Sequence, residues 1–288
     1  TPEQRPFYGG TYFPPVPNYG RPSFRQVLLA LSDLWQQRRG ELTQQVENFS
    51  EGMADLARLA DEDSRQVSVQ QTLGDANTLD DAARRLLLKV DGEWGGFGRQ
   101  PKFPSATALE LLLQASRSAA IDVAEPAGAA LLHTLTKMHR GGIYDHLRGG
   151  FARYSVDRVW LVPHFEKMLY DNAQLLGLYA DASRVWPDHT FLRDVVGETV
   201  AYLAAEMRDA SGGFYAATDA DSEGVEGKFF CWTPAQLTEV LGADAELFAR
   251  VYGVTTAGNF EHGMSILHLP RSLSEQAATL GSSEPELK

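Results

Sequence analysis

The sequence is poor in cysteine, with Cys231 as the single thiol among 288 residues. One cysteine cannot form an internal disulfide, which excludes the small disulfide-stapled class of secreted domain and indicates a reducing compartment. It also leaves no Cys-x-x-Cys pair, so this chain cannot cycle a dithiol by itself. Cys231 stands in the apolar run Phe229–Trp232. We therefore predict a cytoplasmic protein in which Cys231 is a buried structural thiol rather than a nucleophile.

The sequence also lacks long apolar runs and an excess of basic residues. No stretch approaches the ~20 apolar residues of a membrane-spanning helix, and we expect no signal peptide. Lysine and arginine number 26 against 38 acidic residues, which disfavours a polyanion such as nucleic acid as partner. We expect neither a membrane nor a nucleic-acid partner. Because the first residue is Thr1 rather than methionine, we also expect the natural N-terminus to lie upstream.

Apolar residues at spacings of three and four predict helices along most of the chain. Two long helices are expected between Ser23 and about Ala60, and a polar linker follows with a domain boundary near Val67. Later helices are predicted from Thr78 to about Val90, Ser105 to about Ala120, Pro126 to His139, His164 to about Val185, Asp188 to Arg208, after Thr233 with Gly242 as its stop, and around Leu247–Tyr252. The aromatic run Phe7–Phe13 predicts one strand.

Glycine pairs followed by an aromatic or aliphatic residue recur between these helices, for example at Gly95-Gly96-Phe97 and Gly149-Gly150-Phe151. Repeated helix–loop–helix units indicate stacked hairpins, which bury their apolar faces against neighbours in a curved array. Such an array can close into an α/α toroid. The predicted fold is therefore mainly α, with polar loops gathered at one end.

The first glycine loop offers flat rings and a fixed cation. Trp94 and Phe97 present apolar faces and Lys102 a donor, a combination that suits sugar rings with apolar C–H faces and hydroxyl edges. These three residues are candidate substrate-binding groups. Aromatic packing of the loop against helix ends explains the same pattern equally well.

The stretch from Met138 to Asn172 concentrates polar chemistry around two glycine pairs. Histidine can act as general acid or base near neutral pH, a carboxylate can orient an imidazole, and arginine or tyrosine can hold a hydroxyl or an anion. The candidate acid–base groups here are Asp145, His146, His164 and Glu166, and the candidate substrate-binding groups are Tyr144, Arg153, Tyr154, Asp171 and Asn172. No His-Glu-x-x-His spacing occurs, so no metal site is predicted. A hydrogen-bonded loop that closes a helix pair is the structural alternative.

An acidic loop follows at residues 217–227. Asp219, Asp221 and Glu223 copy the first half of an EF-hand loop, but Phe230 stands where its final glutamate belongs. Clustered carboxylates raise one another's pKa, so Asp219 and Asp221 are candidate acid–base groups and Glu223 a candidate sugar-binding group. A solvated acidic turn is the alternative.

Five motifs in order resemble one protein family, that of spermatogenesis-associated protein 20 and bacterial YyaL, called thioredoxin-domain-containing or DsbH-like. They are PFYGGTYFPP from Pro6, GGFGRQPKFP from Gly95, GGIYDHLRGGFARYSVD from Gly141, VPHFEKMLYDNAQL from Val162 and FYAATDADSEGVEGKFFCWT from Phe214. The resemblance implies a thioredoxin-like α/β domain followed by an (α/α)6 barrel similar to six-hairpin glycosidases and N-acylglucosamine 2-epimerase-type enzymes. Residues 1–66 would then be the C-terminal part of the first domain with connecting helices, and residues 67–288 a partial barrel. The upstream thioredoxin motif and the later hairpins are expected in the natural protein.

Four functions remain open on this sequence. The first is a carbohydrate-active enzyme, a sugar epimerase or isomerase, with His164 and His146 as candidate bases. The others are a thioredoxin-linked redox or client-binding module, a glycoside hydrolase with paired carboxylates, and a scaffold. The enzyme hypotheses need a small carbohydrate ligand and no cofactor. They also require Lys102, His146, His164 and Asp219 to surround one hollow.

Overall fold

The structure is a computed structural model that describes residues 1–18, 20–64 and 77–287. The chain divides into two compact units, Thr1–Asp75 and Ala76–Lys288. The boundary predicted near Val67 lies outside the described residues.

The first unit contains two helices, α1 (Phe24–Gln37) and α2 (Arg39–Ser64), which pack against each other. Ser23 caps α1 in a reciprocal pair of hydrogen bonds with Gln26, which satisfies backbone donors at the helix start. The strand predicted over Phe7–Phe13 is wrong, because this run is irregular and has no strand partner among residues 1–18 and 20–64. A lone aromatic run cannot satisfy its backbone as a strand without a neighbour.

The second unit is built mainly from helices, as predicted. Its helices are α3 (Asn77–Leu87), α4 (Ala106–Ala115), α5 (Ile121–Arg140), α6 (Leu169–Val185), α7 (Phe191–Tyr202), α8 (Pro234–Leu241), α9 (Ala245–Val251), α10 (Leu273–Leu280) and α11 (Glu284–Leu287). A π-helical turn, Leu203–Met207, continues α7. Its strands are β1 (Tyr154–Ser155), β2 (Pro163–His164), β3 (Lys167–Met168), β4 (Ala217–Thr218), β5 (Asp221–Ser222), β6 (Val225–Glu226), β7 (Cys231–Trp232) and β8 (Ser265–Ile266).

Neighbouring helices share a main core that runs from α3 to α7. Helix α4 packs on α3, α5 and α6, and α6 packs on α7. Leu109, Leu112 and Leu113 of α4 are fully buried, at the spacing of one helical face. A second core joins α8 to α11. Packing between consecutive helices agrees with the predicted hairpin array, whereas closure of a ring stays a prediction.

Two helix starts were wrong. Helix α5 begins at Ile121 and carries Pro126 inside it rather than in its first turn. The helix predicted from His164 begins at Leu169, because residues 163–168 are extended and pair as β2 with β1 and as β3 with β4. The capped start at Thr233 and the stop at Gly242 are confirmed.

Four antiparallel two-residue pairs tie the loops together: β1 with β2, β3 with β4, β5 with β6, and β7 with β8. Tyr154 lies opposite His164, and Asp221 lies opposite Glu226. These short pairs fix which loop side chains share a face, because partners in an antiparallel pair point to the same side. They position the polar groups described next.

Candidate functional site

The extended segment 163–168 presents two different faces. Side chains alternate along extended backbone, and the buried members of the alternation are Pro163, Phe165 and Lys167. His164 and Glu166 point the other way and are partly exposed. The polar side chains of this segment therefore point to its two opposite faces.

The exposed face carries a group of side chains that we call the His164 cluster: Phe103, Arg153, Tyr154, His164, Glu166, Tyr170, Asp171 and Glu226. His164 Nδ1 donates to Glu226 Oε1 at 2.7 Å. Its Nε2 lies 3.8 Å from Glu166 Oε2, and its ring stacks on Tyr154 with centroids 5.0 Å apart. Because Glu226 accepts the hydrogen bond from the Nδ1–H group, the neutral imidazole keeps its lone pair on Nε2. That nitrogen is the one able to accept a proton from a ligand.

Arg153 and the aromatic rings complete this face. Arg153 Nη1 donates to Glu166 Oε2 at 2.9 Å, and this bond raises the pKa of Arg153, with Tyr170 also contributing. The ring of Phe103 lies 4.9 Å from that of Tyr154. A fixed cation beside two adjoining rings can hold a hydroxylated ligand by its edge and by its face.

Asp171, in the first turn of α6, has the unusual carboxyl group of the cluster. Its Oδ2 atom is buried and finds no hydrogen-bond partner among the residues that the structure describes. The pKa of Asp171 is raised to about 6, chiefly by burial, with Arg153 opposing the shift and Glu166 adding to it. A carboxyl group that exchanges its proton near neutral pH beside a ligand-facing imidazole is equipped for acid–base chemistry.

His146 and Asp145 lie on the buried face of the 163–168 segment, with Pro163, Phe165 and Lys167. His146 Nε2 donates to the Gly141 carbonyl at 3.1 Å, and burial lowers the pKa of His146 to about 4. Asp145 Oδ2 accepts from the buried Lys167 Nζ at 2.7 Å. Its other oxygen accepts from the backbone amides of Leu147 and Arg148. Asp145 thus holds Lys167 and the loop rather than an imidazole.

Three candidate residues of the first glycine loop make packing or ion-pair contacts within the folded chain. Lys102 is fully buried and donates to Asp91 at 2.9 Å and to the Arg158 carbonyl at 3.1 Å. Trp94 lies under the Lys137 ammonium at 4.4 Å, and Phe97 packs against the main core. These contacts correspond to the packing alternative for the loop.

Tyr144 and Asn172 are buried as well. The Tyr144 hydroxyl donates to Glu198, and its ring belongs to the main core. Asn172 accepts from the Phe151 amide at 2.7 Å and donates to the Phe151 carbonyl at 3.0 Å. Asn172 therefore ties α6 to the second glycine loop, and its side chain is fully buried.

The acidic loop forms a hairpin whose members are mostly exposed. Asp219 accepts from the Asp221 amide at 3.1 Å. Asp221 lies opposite Glu226, next to the His164 cluster. Glu223 forms an ion pair with Lys228 beside the turn. Over the described ranges, no three His, Cys, Asp or Glu side chains converge as metal ligands.

The structure therefore does not gather Lys102, His146, His164 and Asp219 around one hollow. It brings together Arg153, Tyr154, His164, Glu166 and Asp171, and adds Glu226, which sequence reasoning missed. Glu226 is 62 residues from His164 and lies in β6, opposite Asp221 of β5. An exposed glutamate in an acidic loop gave no signal of that contact.

Cys231 is 3% exposed, and burial raises the pKa of its thiol to about 12. The thiol is therefore protonated at neutral pH. Since the thiolate is the reactive form, this environment agrees with a structural cysteine. No helix among the described residues has the length and apolar character needed to cross a membrane.

Comparison with known proteins gives related sequences over nearly the whole chain. Residues 1–54 match the family model described as "Protein of unknown function, DUF255", Thioredox_DsbH. Spermatogenesis-associated protein 20 of Homo sapiens is 36% identical over 310 residues, covering 98% of this chain and 38% of that protein. The Rattus norvegicus protein of the same name matches at 36% identity with the same coverage. The chain thus spans under two fifths of the length of these relatives.

Two solved structures resemble part of the chain. Cellobiose 2-epimerase from Bacillus thermoamylovorans B4167 has a TM-score of 0.39 at 16% identity, over 50% of this chain and 41% of that chain. A sugar epimerase from a ruminal bacterium has a TM-score of 0.41 at 14% identity, over 62% of this chain and 48% of that chain.

Proposed function

The chain is a relative of spermatogenesis-associated protein 20 along 98% of its own length, and we propose that its His164 cluster is an acid–base site acting on a carbohydrate, as in a sugar epimerase or isomerase. The observation that carries the proposal is the Asp171 carboxyl, which has a buried unpartnered oxygen and a pKa raised to about 6 by burial. Because the chain covers 38% of its human relative, the activity of the whole protein belongs to the same proposal.

Isomerisation or epimerisation beside a sugar carbonyl needs a base for the carbon-bound proton and a donor for the carbonyl oxygen. In the proposed reaction, His164 Nε2 removes the proton from carbon 2 and the C–H electron pair forms the enediol double bond. The Asp171 carboxyl protonates the former carbonyl oxygen, and Arg153 stabilises the charge that develops there. The enediol then returns a hydroxyl proton to the Asp171 carboxylate, from oxygen 2 in isomerisation or from oxygen 1 in epimerisation, as the carbonyl re-forms. A proton adds at the same time to carbon 1, or to the opposite face of carbon 2.

Glu226 supports this role of His164 through a hydrogen bond at Nδ1, the ring nitrogen that does not react. Its Oε1 atom accepts a hydrogen bond from Nδ1–H at 2.7 Å, which leaves Nε2 unprotonated in the neutral ring and stabilises the imidazolium once the ring is protonated. Proton abstraction therefore does not require the ring to change its tautomer. Glu226 is a positioning residue in this proposal.

Exposed aromatic surface favours a sugar as the ligand. Phe103 is 46% exposed and adjoins Tyr154, so its ring can cover the apolar face of a pyranose. Arg153 and the nearby carboxylates then face the hydroxyl edges. An uncharged hydroxylated ring matches both surfaces.

The test is hydrogen exchange at carbon 2 of reducing sugars. The complete natural protein is incubated with a panel of aldoses and ketoses in deuterated water, and deuterium at carbon 2 is measured by NMR. We expect incorporation with at least one sugar and a loss of about 100-fold in Asp171→Asn, the scale of a lost general acid. Asp219→Asn, which changes an exposed carboxylate of the neighbouring loop, is the matched control and should stay within about twofold.

Circular dichroism of both variants separates lost chemistry from lost folding. If no sugar of the panel acquires deuterium, the proposed reaction fails. If Asp219→Asn and Asp171→Asn lose exchange equally, the assignment of the acid to Asp171 fails.

A further inference from the structure

A cavity of about 500 Å³ lies on the buried face of the 163–168 segment, away from the His164 cluster. Pro163, Phe165 and Lys167, the inward members of the alternation, form part of its wall. His146 also lines it, whereas His164 and Glu166 do not appear in the wall described by the structure. The cavity is therefore a compartment separate from the proposed acid–base site.

Aromatic and aliphatic side chains make up most of this compartment. Phe165 and Phe230 stack in parallel, with centroids 5.5 Å apart and 14° between planes. Phe229 stands edge-on to Phe230 at 5.3 Å and is 59% exposed. Ile143 and Ile266 are buried within the wall. The two stacked rings contact each other and present a flat surface to the cavity, so the wall favours a planar guest that packs against it.

The charged side chains of the wall are already paired. Lys167 is bonded to Asp145 at 2.7 Å, Lys228 to Glu223, and the Arg148 guanidinium to Glu206 at 3.4 Å. The cavity thus offers no uncompensated charge of either sign among the described residues. Lys167 also lies 4.2 Å from the Tyr202 ring and 5.2 Å from the Phe230 ring, which further satisfies its ammonium.

The remaining titratable groups of the wall are neutral at physiological pH. Burial lowers the pKa of His146 to about 4 and raises the pKa of Cys231 to about 12. Burial, followed by the nearby Glu198, also raises the pKa of Tyr144, whose hydroxyl is bonded to Glu198. A charged guest would lose its hydration without meeting a free counter-charge, which is costly.

We propose that this cavity binds an uncharged, planar aromatic molecule. Its volume falls within the roughly 300 to 1,000 Å³ typical of small-molecule sites. The stacked pair Phe165 and Phe230 supplies the flat contact, and Phe229 stands at the mouth as an exposed ring that a guest would cover. This binding site is independent of the carbohydrate chemistry proposed for the other face.

Binding to this cavity can be tested by NMR of isoleucine methyl groups, because the chain has few isoleucines. The sequence has three isoleucines: Ile143 and Ile266 line the cavity, and Ile121, which is 69% exposed, begins α5 outside that wall. Labelling isoleucine δ1 methyl groups with carbon-13 therefore gives three NMR signals. Conservative Ile→Val variants assign them. Indole serves as the uncharged planar probe, and indole-3-carboxylate as its anionic counterpart.

We expect indole to shift the methyl signals of Ile143 and Ile266 with saturation, at a dissociation constant on the order of 1 mM or below, and to leave the Ile121 signal in place. Indole-3-carboxylate should bind at least tenfold more weakly, since it brings a charge that the wall cannot pair. Phe229→Ala removes an exposed ring without opening the core and should weaken indole binding at least threefold.

Several results would overturn the proposal. Indole that leaves both cavity methyls unshifted up to its solubility, or shifts Ile121 equally, does not occupy this site. Equal or tighter binding of the carboxylate refutes the charge argument, and unchanged affinity in Phe229→Ala refutes the role of the mouth. Shifts of the same two methyls by 50 mM glucose would make the cavity a sugar site instead.

Discussion

The Asp171 carboxyl is destabilised as an anion by its surroundings. Its pKa of about 6 is above the ordinary value of 3.8 because burial disfavours the charged form. The folded chain therefore binds this proton more tightly than the unfolded chain does. The stabilising contribution is fully present below pH 3.8 and is lost as the pH rises through about 6.

This shift predicts that Asp171→Asn stabilises the fold in alkaline solution. Asparagine has the same shape and no charge to desolvate, so its advantage in the free energy of unfolding should be about 1 kcal/mol larger at pH 8 than at pH 5. That figure is below the full conversion of the shift because the carboxyl is partly hydrated. Urea unfolding of both proteins at the two pH values measures it. Asp219→Asn should change by less than about 0.3 kcal/mol between them, and an Asp171→Asn advantage independent of pH would contradict the buried-acid interpretation.

The chemistry of single residues predicted part of the candidate site. Arg153, Tyr154, His164 and Glu166 were expected from their chemistry and do adjoin one another. Lys102 was expected to bind a ligand as a donor beside the rings of Trp94 and Phe97, yet Asp91 holds it in the interior. Whether a charge is buried depends on a partner elsewhere in the chain, and a single sequence does not reveal that partner.

Among the elements, the second glycine loop is held by close packing. Gly150 has a φ of +79°, and a Cβ there would lie 2.6 Å from Tyr202 Cδ1 and 3.0 Å from Asn172 Oδ1. Gly98 in the first loop has a φ of +73°, with nothing within 4 Å of a Cβ position. The two glycines share the left-handed backbone but differ in the space around them.

We expect Gly150→Ala to reduce the free energy of unfolding by about 3 kcal/mol or more, since it adds a clash to backbone strain. Gly98→Ala should cost about 1 kcal/mol, from the backbone alone. Chemical denaturation of both variants compares them. Similar losses would mean that the packing of Gly150 against Tyr202 and Asn172 contributes little.

The extended segment 163–168 shows why one element was missed. Phe165, Met168 and Leu169 suit a helical face, and a charged residue at Lys167 hid the inward alternation. Two-residue strands carry too few positions for a period to stand out. By contrast, Thr233 and Gly242 bound α8 as expected, because capping is decided by neighbours in sequence.

For the whole molecule, the two compact units differ in how much apolar surface they bury. In the first unit, the buried aliphatic side chains are Val27, Leu42 and Val46 among those described, while Leu29 is 59% exposed and Leu56 69%. The second unit contains the large core of α3–α7 and the smaller core of α8–α11. Stability should therefore be concentrated in the second unit.

We expect a fragment of residues 77–288 to unfold in urea with one cooperative transition, because both of these cores lie within it. A fragment of residues 1–64 should show no cooperative transition, since it buries too little apolar surface to offset chain entropy. Circular dichroism during titration measures both. A sharp transition in the short fragment, or a gradual one in the long fragment, would contradict this division.

The mainly α class followed from the apolar spacing, and the relationship to spermatogenesis-associated protein 20 from five separated motifs. What sequence could not supply was the meeting of loops through pairs as short as β5 and β6. Those contacts depend on register between residues far apart in the chain.

Because side chains alternate along residues 163–168, the number of residues in this segment affects the two sites more than the identity of most single residues does. Substituting one side chain would change the site on one face of the segment and leave the site on the other face unchanged. Deleting or inserting one residue would instead turn every later side chain over, sending Lys167 toward water and Glu166 into the aromatic wall. Natural variants should accordingly show substitutions here but almost no gaps, and each compartment can diverge in its choice of guest without disturbing the other.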